Sequence, residues 1–322
     1  MRNFDFIKHR KLFACISAAV ILVGLLFNIF MGVELDINFK GGTLLKYSYE
    51  GALVDTEVSD FVKTKLPDAS VELAENGESG LSTITITMTT NLDSKTQTNF
   101  KSVLAKEYPN NSIEEISTNS LQPSSGRMFF IKCLYAIVLA SVFLMIYVGL
   151  RFRKIGGLSA GAMALFALLH DIVIAYFVFV IFRIPLNDNF VAVVLTILGY
   201  SLNGTIVVYD RIRENRTIMD KQTSIEEVVN VSLNQSFTRS LNTSICTFIA
   251  IGTVAVIALI NSLSSIISFA LPMTVGVVAG FFSSTFLCSP LWVLWVKHTE
   301  RRKALQAKKA KAAPKAAKKK KK

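Results

Sequence analysis

The chain has 322 residues, 51% of them hydrophobic, with a mean hydropathy of +0.45 and a formal net charge of +12. Apolar residues come in long blocks, which argues for an integral membrane protein and against a soluble enzyme. Residues 301–322 hold 12 of the 35 Lys and Arg and no acid, so residues 1–300 are balanced at 23 basic and 23 acidic groups. A basic nucleic-acid-binding fold is excluded as the main reading.

In chain order, a basic segment 1–11 with Arg2, Lys8, Arg10 and Lys11 precedes an apolar run over 12–31. That run is long enough to cross the bilayer and lacks a small-x-small cleavage pattern, so it reads as an uncleaved anchor. Segment 32–127 is polar, and its part 32–126 carries 14 acids against 7 lysines. Strands are expected at Leu44–Glu50, Val71–Leu73, Leu81–Thr90 and Ile113–Ile116, and helices at Asp55–Leu66 and Asp93–Tyr108. The order β-α-β-β-α-β fits a small α+β domain of the split-βαβ, ferredoxin-like kind.

Five further spans are expected at about 128–150, 155–182, 188–209, 241–262 and 266–296, which form a membrane domain over 128–296. The N-terminus, the Arg151–Lys154 loop, the 210–239 loop and the 297–322 tail are rich in Lys and Arg. The positive-inside rule then places both termini in the cytoplasm and the α+β domain outside. The tail is of low complexity, cannot bury a core, and is expected to be disordered or transiently helical up to Pro314. Binding to an anionic lipid surface is the plain reading of its charge, and contact with the ribosome the sharper one.

Phosphate-loop, HExxH, GxSxG and dinucleotide fingerprints are missing, so no hydrolytic activity and no cofactor are expected. Cys15, Cys133, Cys246 and Cys288 lie singly in apolar runs, as small core hydrophobes do, and with His9, His170 and His298 far apart no metal site is expected. Ionisable groups at bilayer depth are functional candidates by default. Asp171, beside His170, is the acid well inside a span: a proton- or cation-responsive group in a polar seam, or a structural carboxylate bonded to His170 or a neighbouring helix. Lys132 reads as a snorkelling side chain.

Span four holds Gly199-Tyr200-Ser201-Leu202-Asn203-Gly204-Thr205. Ser201, Asn203 and Thr205 offer hydrogen-bonding groups to a helix contact, and Gly199 and Gly204 permit close approach. Asp210–Asn215 is either a solvated charged helix end or a gate. Arg239 stands where the chain re-enters the membrane, as a positive-inside anchor or within reach of span four. Gly276, Gly280 and Ser284 form a small-xxx-small face whose partner helix lies in this chain or in another subunit.

The runs DINFKGGTLL (Asp36–Leu45), YVGLRF (Tyr147–Phe152), His170–Asp171, GYSLNGTIVVYDRIREN (Gly199–Asn215) and SPL (Ser289–Leu291) together resemble the SecF family of the bacterial protein-export pathway. Asp36, Gly41 and Gly42 belong to the first of these motifs. The resemblance implies a resistance-nodulation-division type membrane domain whose six helices pair with six from SecD. It also implies action on exported unfolded polypeptide after SecA and SecYEG, driven by the transmembrane ion gradient, in the bacterial cytoplasmic membrane. The family pattern reads SLND where this chain has SLNG, so the expected proton-responsive carboxylate is replaced by Gly204, whereas Arg239 matches the family's functional arginine. The implied options are coupling through a SecD carboxylate, a share taken by Asp171, or a different coupling such as sodium. Arg239 then pairs with Asp210, with a SecD carboxylate or with water. The candidate ion-coupling and gating residues are therefore His170, Asp171, Asn203, Asp210 and Arg239. Two other readings compete with the export subunit. One is a half-transporter of the same fold exporting a small molecule or lipid; the other is a non-transporting anchor for a partner-binding domain.

Overall fold

The computed structural model describes residues 4–74, 82–121, 123–220, 222–261 and 263–319; within these, the side chains at 38, 74, 121, 123–124 and 307–319 fall outside the description. Six helical stretches are long and apolar enough to cross a membrane. They are built from α1 (Arg10–Met31), α5 (Pro123–Arg151), α6 (Gly157–Ile181), α7 (Asp188–Ile218), α8 (Ile225–Ile260) and the pair α9 (Ser264–Phe282) and α10 (Ser289–Lys319). A helix satisfies its own backbone polar groups, which is what lets such apolar segments sit in hydrocarbon.

Between α1 and α5 lies the α+β domain: α2 (Ile37–Lys40), β1 (Gly42–Tyr49), α3 (Asp55–Lys65), β2 (Ser70–Ala74), β3 (Ser82–Met88), α4 (Ser94–Glu107) and β4 (Glu114–Leu121). Its antiparallel sheet has the order β2-β3-β1-β4, with β3 inserted between β1 and β2, the split-βαβ arrangement expected from the sequence. Alternation along β1 and β3 sends Leu45, Tyr47, Tyr49, Ile84, Ile86 and Met88 to one face, where they pack on Val58 and Val62 of α3 and Phe100 and Leu104 of α4. Asp93 caps α4 by accepting a hydrogen bond from the Thr96 amide. The third expected strand begins at Ser82, and its predicted first residue, Leu81, lies outside the described residues.

The domain is joined to the bundle at its base. The Leu186 amide donates to the Glu34 carbonyl (2.7 Å), and the Asp36 amide donates to the Leu186 carbonyl (3.0 Å). Arg183 reaches the same stem through the Met31 carbonyl (2.7 Å) and the Glu34 carboxylate. The α6–α7 corner thus holds the entry to the α+β domain through main-chain bonds.

Helix α6 sits at the centre of the bundle, packing against α1, α5, α7 and α9. A Cβ at Gly24 of α1 would fall 2.1 Å from the Phe177 ring, so this glycine lets the two helices meet. The small-residue face of α9 has its partner in this chain. Gly276 lies against Ile197, Gly280 against Ser201 and Ser284 against Gly204, all on α7. A Cβ at Gly276 would approach Ile197 Cδ1 to 2.2 Å. Gly276→Ala is therefore expected to destabilise the bundle by about 1–3 kcal/mol through overpacking. Ile197→Ala in the same chain should return part of that loss, and a double-mutant cycle on thermal unfolding in detergent would measure the coupling.

Four expectations change. The segment 210–239 is a helical hairpin rather than a loop, with α7 running on to Ile218 and α8 starting at Ile225. Its polar residues bond across the hairpin: Arg211 Nε donates to Gln235 Oε1 (2.6 Å), and Asn215 Nδ2 donates to Ser232 Oγ (2.8 Å). Gly199 packs against no other helix of this chain among the described residues, because a Cβ there would meet nothing within 4 Å. Of the four cysteines only Cys288 is buried, while Cys15 and Cys246 are exposed on the outer faces of α1 and α8. The tail, expected to be disordered or transiently helical up to Pro314, is helical as well: α10 continues through the Lys/Ala segment as far as Lys319, Ala and Lys being strong helix formers.

Candidate functional site

The polar residues within the bundle gather on the two sides of α7. On the inner side stands Asp171 of α6, fully buried. Its Oδ1 accepts from His170 Nδ1 (2.9 Å), and its Oδ2 accepts from Ser201 Oγ of α7 (2.5 Å) and from Ser283 Oγ (2.7 Å). One carboxylate thus ties three elements together through charge-assisted bonds in a low-dielectric setting, where such bonds are strong and an unpaired group is costly. The His170 ring is stacked beside Phe282, and its Nε2 is buried without a hydrogen-bond partner among the described residues.

Ser283 opens a π-helical turn, Ser283–Cys288, between α9 and α10. The wider turn re-aims consecutive side chains, so that Ser283 faces Asp171 while Ser284 faces Gly204 on the other side. Ser283 went unread in the sequence; a pair of serines inside the apolar run Phe281–Leu287 was the signal for it.

On the outer side, α7, α8 and α9 enclose a cavity of about 230 Å³. Tyr200, Asn203, Gly204, Arg239, Ser240 and Ser284 are among its lining residues, and no acid is. Asn203 and Arg239 are exposed at this face. Asn203 is thus not in an α7 helix contact as expected; it points into the cavity with Arg239. Thr205 is buried, as is Ser201.

Asp210 is not brought to Arg239. It lies at the end of the bundle away from the α+β domain, paired with Arg151 of α5 (3.1 Å) and Arg213 (2.9 Å), while Glu214 pairs with Arg211 (2.6 Å). These pairs are partly exposed and are worth at most about 1 kcal/mol each, so they read as a solvated helix end. At the same end Glu226 of α8 is bridged by Lys297 of α10 (2.7 Å) and Arg10 of α1 (3.5 Å), and the Phe4 and Phe6 amides donate to Asn234 and Asn230.

The motif residues Asp36, Gly41 and Gly42 form the joint between bundle and domain. Asp36 precedes α2, and its carbonyl accepts from the Phe39 and Lys40 amides (both 3.0 Å). Gly41 and Gly42 have φ of +78° and +134°, conformations that favour glycine. Among the described residues no cluster of three His, Cys, Asp or Glu is placed to hold a metal ion.

Residues 100–298 match the family model for the C-terminal part of the protein export membrane proteins SecD/SecF. The chain is 32% identical over 307 residues to the protein translocase subunit SecF of Petrotoga mobilis, covering 94% of this chain and 99% of that one. To SecF of Alicyclobacillus acidocaldarius it is 31% identical, covering 91% of this chain and 93% of the relative. To the translocase subunit SecDF of Bacillus subtilis it is 30% identical, covering 91% of this chain but 38% of that longer one. Its fold is similar to the crystal structure of a Thermus SecDF, described as a translocon-associated membrane protein, with a TM-score of 0.76 at 23% identity over 92% of this chain and 39% of that chain.

Proposed function

The chain belongs to the SecF family of protein translocase subunits, and we propose that it couples an ion gradient to late polypeptide movement through α7. An accessory role in Sec-dependent protein export comes with the family, and the multi-pass membrane character with the six apolar helices. Its relatives are named as translocase subunits, not as enzymes. SecD is its partner: the chain matches about two fifths of chains in which SecD and SecF are joined by name.

The Lys/Arg bias of the N-terminus, the Arg151–Lys154 turn, the α7–α8 hairpin and the tail supports cytoplasmic termini in the bacterial cytoplasmic membrane. The 14 acids and 7 lysines of 32–126 support an external position for the α+β domain, where it meets exported chain after SecA and SecYEG have begun to move it. The basic tail serves as a tether to anionic lipid or to the ribosome.

One observation carries the mechanism: α7 touches every part that has to be coupled. Ser201 binds Asp171, Asn203 and Gly204 line the Arg239 cavity, and the corner leading into α7 holds the stem of the α+β domain by main-chain bonds at Leu186. A change in the charge or hydration of Asp171 alters its bonds to Ser201 and Ser283, and with them the seating of α7 against the π-helical turn. A shift of α7 is then felt at Leu186, Glu34 and Asp36. Asp171 takes the ion-responsive share, and Arg239 marks the face turned towards SecD.

Export into inverted membrane vesicles, with and without an imposed ion gradient, tests this. Asp171→Asn and Arg239→Ala are each expected to lower export to the level seen with the gradient collapsed, at normal abundance. Normal gradient-dependent export by both variants would refute coupling through these residues.

A further inference from the structure

Between α6 and α10, at the end of the bundle away from the α+β domain, runs a groove of about 640 Å³. Met163 and Phe166 of α6 and Leu291, Leu294 and Trp295 of α10 make its apolar floor, and His298, Thr299 and Arg302 line its mouth. Phe166, Leu294 and Trp295 are exposed in it.

The groove opens away from the α7–α8 face. At 3.6 residues per turn, Phe166 stands about 140° around α6 from Asp171, the residue that meets Ser201 of α7. Phe166 shares its side of α6 with Phe177, three turns on, whose ring lies against Gly24 of α1. On α10, Lys297 bridges to Glu226 of α8, and Trp295 stands about 160° from Lys297. The floor thus continues the side of the bundle that carries α1.

Its polarity is graded along the helix axis. From Leu291 to Arg302, α10 rises roughly 16 Å, passing from aliphatic side chains through an indole to a guanidinium. Among the described residues no acid lines the groove. Glu300 stands about 160° around α10 from both His298 and Arg302, and Glu226 is bridged by Lys297 and Arg10. The Thr299 hydroxyl donates to the Trp295 carbonyl (2.9 Å), so the donors left at the mouth are the Arg302 guanidinium, the His298 ring and the Trp295 indole. A guanidinium grips a phosphate with two parallel hydrogen bonds, and an indole sits well at the level of lipid head groups.

We infer that this groove binds one anionic glycerophospholipid, with its phosphate at Arg302 and His298 and an acyl chain along Met163, Phe166, Leu291 and Leu294. Basic pockets between spanning helices suit anionic head groups, and the volume is that of a small-molecule site. The inference goes beyond a general attraction of the basic tail for lipid, because it fixes one lipid at one place. It depends on the helices spanning a bilayer and not on export or its coupling.

Trp295 can report the occupant, since the chain has 2 tryptophans and the other, Trp292, is fully buried. The full chain, with whatever partner accompanies it, is reconstituted in phosphatidylcholine vesicles holding a minor share of phosphatidylglycerol. Bromine is placed on the acyl chains of one lipid or the other, and the Trp295 signal is the difference between wild type and Trp295→Phe. Per molecule, brominated phosphatidylglycerol is expected to quench that signal about fivefold more effectively than brominated phosphatidylcholine, the bias that one surface cation supplies. Arg302→Gln should bring the ratio close to unity, and Arg302→Lys should restore part of it. Arg301→Gln removes the same charge about 100° around the helix and should leave the ratio unchanged. Equal quenching by the two lipids in the wild type, or a preference that survives in Arg302→Gln, would overturn the site. An equal loss in Arg301→Gln would overturn it in favour of general surface attraction, and quenching by neither lipid in favour of a protein segment in the groove.

Discussion

Replacement of Asp171 by alanine is expected to cost about 3–5 kcal/mol of stability, the range found when one member of a buried charged network is removed. Three donors converge on this carboxylate from three elements, and each is buried. Alanine leaves His170 Nδ1 and Ser201 Oγ without an acceptor, and leaves Ser283 Oγ only the longer bond to the Gly280 carbonyl (3.2 Å), in a place where water cannot freely substitute. The Tm of the purified variant should fall steeply, and its abundance in the membrane with it. Asparagine keeps the shape and one acceptor oxygen but turns an amide group towards one set of donors, so it should lose less stability. The two variants separate roles: the alanine variant reads the structural part of Asp171, and the asparagine variant, folded and abundant, reads the part that depends on charge. Equal stability of Asp171→Ala and wild type would mean that these hydrogen bonds do not hold α6, α7 and the π-helical turn together.

The second large effect is expected at Gly42, where bundle and domain join. Its φ is +134°, and a Cβ would stand 2.1 Å from the Met88 carbonyl oxygen. The obstacle is backbone of the neighbouring strand and cannot rotate away. Gly42 also pairs with Leu121 of β4, and the next residue, Thr43, pairs with Met88 of β3. To admit Gly42→Ala, the start of β1 has to leave one of these strands. Backbone strain and overpacking together amount to about 3 kcal/mol or more. Hydrogen exchange on the full chain should show faster exchange of β1 and β3 amides, with the amides of α6 and α7 unaffected. Gly32 is the control for backbone strain without overpacking: its φ is +66° and a Cβ there would meet nothing within 4 Å, so Gly32→Ala should cost about 1–3 kcal/mol and leave the exchange of β1 and β3 unchanged. Unchanged exchange in Gly42→Ala would show that β1 does not run so close to β3.

The parts legible in the sequence were those set by one-dimensional pattern. Six spans, the polar insertion between the first two and the strand–helix order within it follow from hydropathy blocks and alternation. The split-βαβ sheet order was an expectation from element order, and the strand pairing agrees with it. Local pattern does not decide where polar groups find their partners across elements. Residues 210–239 look like a loop because they are polar. They are helical because their polar groups find one another across the hairpin, as Arg211 does with Gln235 and Asn215 with Ser232. Gly199 and Gly204 are indistinguishable as letters in one helix. At 3.6 residues per turn they point about 140° apart around the axis, and only Gly204 meets a neighbouring element, the π-helical turn at Ser284.

The candidate site was legible as a set of residue types and not as an arrangement. Asp171, His170 and Arg239 stood out by being ionisable near hydrocarbon. That Ser201 and Ser283 complete the Asp171 cluster depends on a π-helical turn, which has no simple sequence signature. That Arg239 and Gly204 share a cavity depends on how α7, α8 and α9 cross. Asp210 looked open to Arg239 as the acid at the lower end of span four; Arg151 on α5 claims it instead.

In the proposed function this chain works as an export subunit with SecD and presents its α7–α8 face to that partner. The most direct measurement is cross-linking and mass spectrometry of the tagged full chain, recovered in mild detergent. SecD should be recovered with SecYEG components, with cross-links from positions beside Asn203 and Arg239 to SecD. Recovery of self-contacts alone, or of an external adaptor without SecD, would contradict it.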